Sequence, residues 1–170
     1  MSLLYVFLLS DKTINTGEYM KIVKIMFFAF AVILFGGVLQ SSQADEVKGG
    51  LFVNLTTDDT WAATKAIMFA HQKVLKRGHK PVAIWLNVRG IYLADKKRAS
   101  HVHGLMKDKG QSIQDMLTAF IKDGGTVIAC SACSKAAGLA HEDFIDGITM
   151  GNPDLVSEIL FDPNVKTLSW

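Results

Sequence analysis

The sequence predicts a small α/β sandwich of about five mainly parallel strands with helices on both faces. Three observations point there. From Gly49 onward, short β-like runs alternate with apolar residues at helical spacing, the pattern of a parallel sheet covered by helices. Gly78, Gly124-Gly125 and Asn152-Pro153 punctuate that alternation where helices should stop or start. The composition, 49% hydrophobic and 20% charged, suits a chain that builds a core rather than a disordered one.

Taken in order, Leu51–Leu55 is a short apolar run after Gly49-Gly50 and makes the first strand. Thr56, Thr57, Asp58 and Asp59 offer N-caps for a helix in which Ala63, Ala66, Ile67, Ala70 and Val74 share a face. Gly78 stops it, and Val82–Leu86 is the second strand. Asn87–Gly110 reads as a long polar and basic loop with a helical turn, lying over the C-terminal edge of the sheet. Its apolar residues Ile91, Tyr92 and Leu93 are expected to be exposed, as candidates for an interface. Ser112 caps a helix running to Lys122, with Ile113, Met116, Leu117 and Phe120 on one face. Thr126–Cys130 is the third strand and the most continuously apolar. A short helix over Ser134–Ala140 and a strand near Ile145–Met150 follow. Asn152 as cap and Pro153 at the first helical position begin a helix ending near Phe161, and Asn164–Leu168 closes the sheet. The sum is a small flavodoxin-like three-layer sandwich.

Lys and Arg total 18 against 16 for Asp and Glu, a formal balance of +2. That balance, with no basic stripe interleaved with aromatics, argues against a nucleic-acid partner.

The N-terminal part reads as an address. Lys21 and Lys24 precede an uncharged apolar run, Ile25–Leu39, and Ser42-Gln43-Ala44 follows as a small-x-small cleavage site. The lysines stay on the cytoplasmic side while the apolar helix enters the membrane. Residues 20–44 are therefore expected to be a cleaved signal peptide, and 1–19 an over-extended start. Retention as an anchor needs about 20 apolar residues, and Gly36-Gly37 shortens the usable part. The mature domain is then 45–170, periplasmic or secreted, with no stable membrane anchor after cleavage.

The conspicuous chemical feature is Cys130-Ser131-Ala132-Cys133-Ser134, where a buried strand hands over to a helix. In open parallel sheets, reactive groups gather at the carboxyl ends of the strands. A thiol at a helix start faces unpaired N–H groups, so the Cys130 pKa is expected below the ordinary value of about 8.5. Ser131 and Ser134 are expected to offer further donors to the sulfur. Two plainer readings are a small buried hydrophobe and a structural disulfide. Covalent haem attachment needs His after the second Cys, and position 134 is Ser. A zinc site would need two ligands more, from His141 or from His101 and His103, with no second C-x-x-C to support it. No metal and no cofactor is expected.

The segment Val127–Leu139, VIACSACSKAAGL, resembles the DsrE/DsrF-like sulfur-relay family, as does the order of elements over Leu51–Trp170. The resemblance implies a sulfane sulfur carried as a persulfide on Cys130, in a sulfur carrier or sulfurtransferase. It implies a homo-oligomer, trimeric or hexameric, working with a sulfur-donor or acceptor protein or a small sulfur compound. Cys133 is an addition to the single-thiol pattern, and a neighbouring thiol could attack the persulfide and leave a disulfide. The alternatives are thus a thiol–disulfide redox protein using Cys130 and Cys133, or a non-enzymatic subunit that binds a metal or a partner.

Overall fold

In the computed structural model, which describes residues 48–170, five strands form one sheet in the order β4-β3-β2-β1-β5. They are β1 (Gly50–Leu55), β2 (Val82–Leu86), β3 (Thr126–Ala129), β4 (Ile148–Met150) and β5 (Val165–Ser169), and every pairing is parallel. The α/β class, the parallel sheet and the helices on both faces stand as predicted. The helices are α1 (Thr60–Met68), α2 (Ile113–Lys122), α3 (Ser131–Ala136) and α4 (Pro153–Leu160). The segments expected to be a signal peptide (20–44) and an over-extended start (1–19) lie outside the described residues.

The strand order decides how the faces are covered. From β1 to β4 each connection steps one strand in the same direction, and right-handed crossovers put such connections on one face. The connection from β4 to β5 returns across the sheet, so α4 lies on the other. The side chains agree. Leu51, Val53 and Leu55 join Val82, Ile84, Leu86, Val127 and Ile148 in a large core shared with α1 and α2. The alternate residues Phe52, Ala83, Ile128 and Val165 make a small core whose cover is Leu155, Val156 and Ile159 of α4. Among the described residues, α1 and α2 cover one face and α4 alone covers the other.

The capping signals act as their chemistry requires. Asp59 accepts from the Ala62 N–H at 2.8 Å and starts α1. Its helical path continues through a π-helical turn, Phe69–Val74, and a 3₁₀ turn, Leu75–Arg77, and Gly78 ends it at φ +84°. Ser112 and Asp115 form a reciprocal capping box on α2. Asn152 accepts from the Leu155 N–H at 2.9 Å to start α4.

The stretch after β2 is more ordered than a loop and less exposed. It holds 3₁₀ turns at Val88–Ala94 and Gly104–Lys109. Ile91 is 1% and Leu93 8% exposed, so the expectation that they present an interface is corrected: they belong to the large core. Gly90 explains the descent. A Cβ there would stand 2.1 Å from the Leu55 carbonyl oxygen, so only glycine lets this turn press onto the end of β1.

Candidate functional site

β3 stops at Ala129, and Cys130 carries the chain out of the sheet while its N–H still bonds to the Leu86 carbonyl at 2.9 Å. Its backbone is extended, φ −61° and ψ 111°, and it serves as N-cap of α3. Ser, Thr, Asp or Asn usually caps a helix with a side-chain oxygen. Here a sulfur does so: the Cys133 N–H donates to Cys130 Sγ at 3.3 Å. That role begins α3 at Ser131, three residues earlier than the expected start at Ser134, and β3 ends one residue before the expected Cys130.

The serines do not serve the sulfur with their hydroxyls. Ser131 donates to the Gly151 carbonyl, and Ser134, fully buried, donates to the Cys130 carbonyl at 2.8 Å. They brace the turn instead. Cys130 is 9% exposed, and burial pushes its thiol above the ordinary pKa. The Cys133 side chain beside it pushes the same way, while the backbone N–H groups of Cys133 and Ala132 pull down. Burial wins, which corrects the expectation of a lowered pKa.

Both cysteines are free. The Cys133 thiol, half-buried, donates to Asn87 Oδ1 at 3.2 Å. That oxygen also accepts from the Val88 N–H at 2.8 Å, and Asn87 Nδ2 reaches Asn54 Oδ1 at 3.4 Å. Val88 has φ +49°, an outlier for a β-branched residue, so the turn after β2 holds local strain beside the thiols. Asn87 escaped the sequence reading. The available signal was a polar residue directly after a buried strand, at the edge where sites form.

The two sulfurs face different surroundings. Cys133 packs toward the helix-roofed core, whereas Cys130 also lines a cavity of about 420 Å³ on the α4 side. Topology opens that cavity. The chain leaves β3 toward the roofed face and leaves β4 toward the α4 face, so their carboxyl ends part and leave a crevice. Gly151 closes its floor, with its N–H on the Ala129 carbonyl at 2.8 Å. Trp85, Pro153 and Val156 line it with Cys130.

The histidines are placed elsewhere. His141 bonds to the Ile148 carbonyl at 2.9 Å, and His103 accepts from the Leu105 N–H and packs edge-on against Trp61. Among the described residues, no three of His, Cys, Asp and Glu come together to hold a metal ion.

Comparison with known proteins bears on the fold. This sandwich is shared with solved structures. The ychN protein of E. coli superposes with TM-score 0.56 at 16% identity, over 71% of this chain and 99% of that one. A protein of unknown function from Bacteroides thetaiotaomicron, BT1422, gives TM-score 0.52 at 22% identity, over 75% and 99%. Another, MTH1491 of Methanobacterium thermoautotrophicum, gives 0.52 at 12%, over 72% and 99%. By sequence, the uncharacterized protein MK0008 of Methanopyrus kandleri is 35% identical over 85 residues, 49% of this chain and 64% of that protein. The matched stretch thus spans less than two thirds of that relative. No family model matches the chain. At these identities the structural neighbours share the fold, and function must be argued from the site. Among the described residues, no helix is long and apolar enough to cross a membrane.

Proposed function

We propose that this chain is a DsrE-like sulfur carrier or sulfurtransferase that holds a sulfane sulfur as a persulfide on Cys130. The observation that carries the reading is the position of Cys130. Its sulfur receives a backbone N–H from Cys133 and borders an open cavity at the carboxyl end of the sheet. A persulfide there would place its outer sulfur toward the cavity, where a donor or acceptor can approach. The neighbours in structure support a DsrE-like fold for the chain. Incubation with a sulfane-sulfur donor should add the mass of one sulfur atom to the peptide holding Cys130. Cys130→Ser should abolish the adduct, and a wild-type protein that gains none would refute the proposal.

A second reading rests on Cys133, whose backbone N–H lies against Cys130 Sγ at 3.3 Å and whose thiol is free. Attack of the Cys133 thiolate on the inner sulfur of the persulfide would break the S–S bond and form a Cys130–Cys133 disulfide. The outer sulfur would leave as hydrosulfide, reduced by the electrons the two thiols lose. The cycle then needs a dithiol reductant to reset it. Sulfide released in proportion to disulfide formed would favour this redox reading over simple carriage.

We place the mature protein outside the cytoplasm, on the strength of Lys21, Lys24, the apolar run Ile25–Leu39 and Ser42-Gln43-Ala44. N-terminal sequencing from the native host should begin at Asp45. Intact 20–44 in a membrane fraction would favour an anchor instead.

A further inference from the structure

We propose that the cavity beside Cys130 selects an organic persulfide whose body is apolar and uncharged; this rests on the persulfide reading above. A volume of about 420 Å³ falls within the range of small-molecule sites. Trp85, Pro153 and Val156 supply apolar wall, and none of the lining residues carries a charge. The polar groups are mostly committed: the Ser131 hydroxyl to the Gly151 carbonyl, and Asn152 Oδ1 to the Leu155 N–H. The indole N–H of Trp85 is buried with no hydrogen-bond partner among the described residues. Cavities elsewhere are different. One is lined by Lys76, Lys109 and Asp123, another by Asp58 and Arg98.

That contrast has a consequence for the donor. A body bearing carboxylates would lose hydration on entering and find no cation to pair with, whereas an alkyl or aryl body gains by burial. The exchange itself balances without an oxidant. The Cys130 thiolate attacks the outer sulfur of R–S–SH and a new S–S bond forms at Sγ. The donor S–S bond breaks, and its electron pair leaves on the thiolate of R, which takes up a proton and departs as R–SH. One thiol proton goes to solvent and one is regained.

The test compares two donors that share the reacting group and differ in body, benzyl hydropersulfide and glutathione hydropersulfide. Each loading rate at Cys130 is followed by mass spectrometry and normalised to reaction with a free small thiol. The benzyl donor should load at least about tenfold faster. Val156→Lys, or Ser157→Lys at a more exposed point of the same wall, should narrow that ratio by favouring the anionic body. Benzyl methyl sulfide, which cannot transfer sulfur, should slow iodoacetamide alkylation of Cys130. Equal loading, faster loading by glutathione hydropersulfide, or a ratio unmoved by both lysines overturns the substrate class and leaves the persulfide reading standing. No loading by either donor, with the thioether still protecting Cys130, overturns the persulfide reading and this inference with it.

Discussion

The backbone N–H of Cys133 points at the sulfur of Cys130, 3.3 Å away, while the Cys133 thiol turns to Asn87. One residue thus supports its neighbour through the main chain and crowds it through the side chain. The two effects oppose each other at Cys130, and with burial added the thiol form is favoured.

Cys130 should therefore alkylate slowly at neutral pH and speed up only above the ordinary thiol range, near pH 8.5. Cys133→Ala removes the side chain that raises the Cys130 pKa and keeps the N–H that lowers it. Iodoacetamide labelling of Cys130 in that variant should begin at lower pH. The linkage has a definite sign. Between the unfolded and the raised folded pKa the native state holds more protons, so stability falls as pH rises through that window. Denaturant melts from pH 8 upward should show the decline in wild type and less of it in Cys133→Ala.

Asn87 ties the Cys133 thiol to the turn after β2 and caps Val88. Asn87→Ala leaves both donors without that partner, at a cost of about 1–2 kcal/mol. Urea unfolding should show the loss, and Cys133 should label faster than in wild type. Unchanged labelling of Cys133 would mean that the Asn87 contact does not restrain it.

Gly90 stands where a Cβ would collide with the Leu55 carbonyl oxygen. Gly90→Ala must push the turn off the end of β1, which should cost about 1–3 kcal/mol in thermal or urea unfolding. Because Asn87 begins the same turn, Cys133 labelling should change with it.

We propose that the chain self-associates through exposed apolar residues at the end of α4. Phe161, just after α4, is 79% exposed, and Leu160 is exposed beside it. Phe161→Glu should lower the mass measured by light scattering at micromolar concentration if those residues meet a second copy. A wild-type monomer would rule out the expected oligomer.

The elements were legible wherever one residue type does one local job. Asn152-Pro153, Ser112 and Gly78 all stand where capping and stop chemistry put them. The alternation of runs was enough for a parallel sheet. The burial of Ile91 and Leu93 is not legible locally, because a polar, basic stretch reads as loop and no neighbouring residue reports that the turn is pinned against another strand. The start of α3 at Ser131 is hidden in the sequence because cysteine is not among the usual capping residues, so the capping role of Cys130 shows only in the geometry.

By itself, the sequence determined the α/β class, the order of elements and the Cys130–Cys133 pair, since these depend on neighbours within a few residues. Only the tertiary structure decided the strand order, and with it the crevice between β3 and β4 into which Cys130 faces. It also brought Asn87 to Cys133, 46 positions apart. Pairing among strands depends on which faces meet and which crossovers are right-handed, and those are properties of the assembled chain. The balance that raises the Cys130 pKa is of the same kind, because burial is set by everything packed around the sulfur.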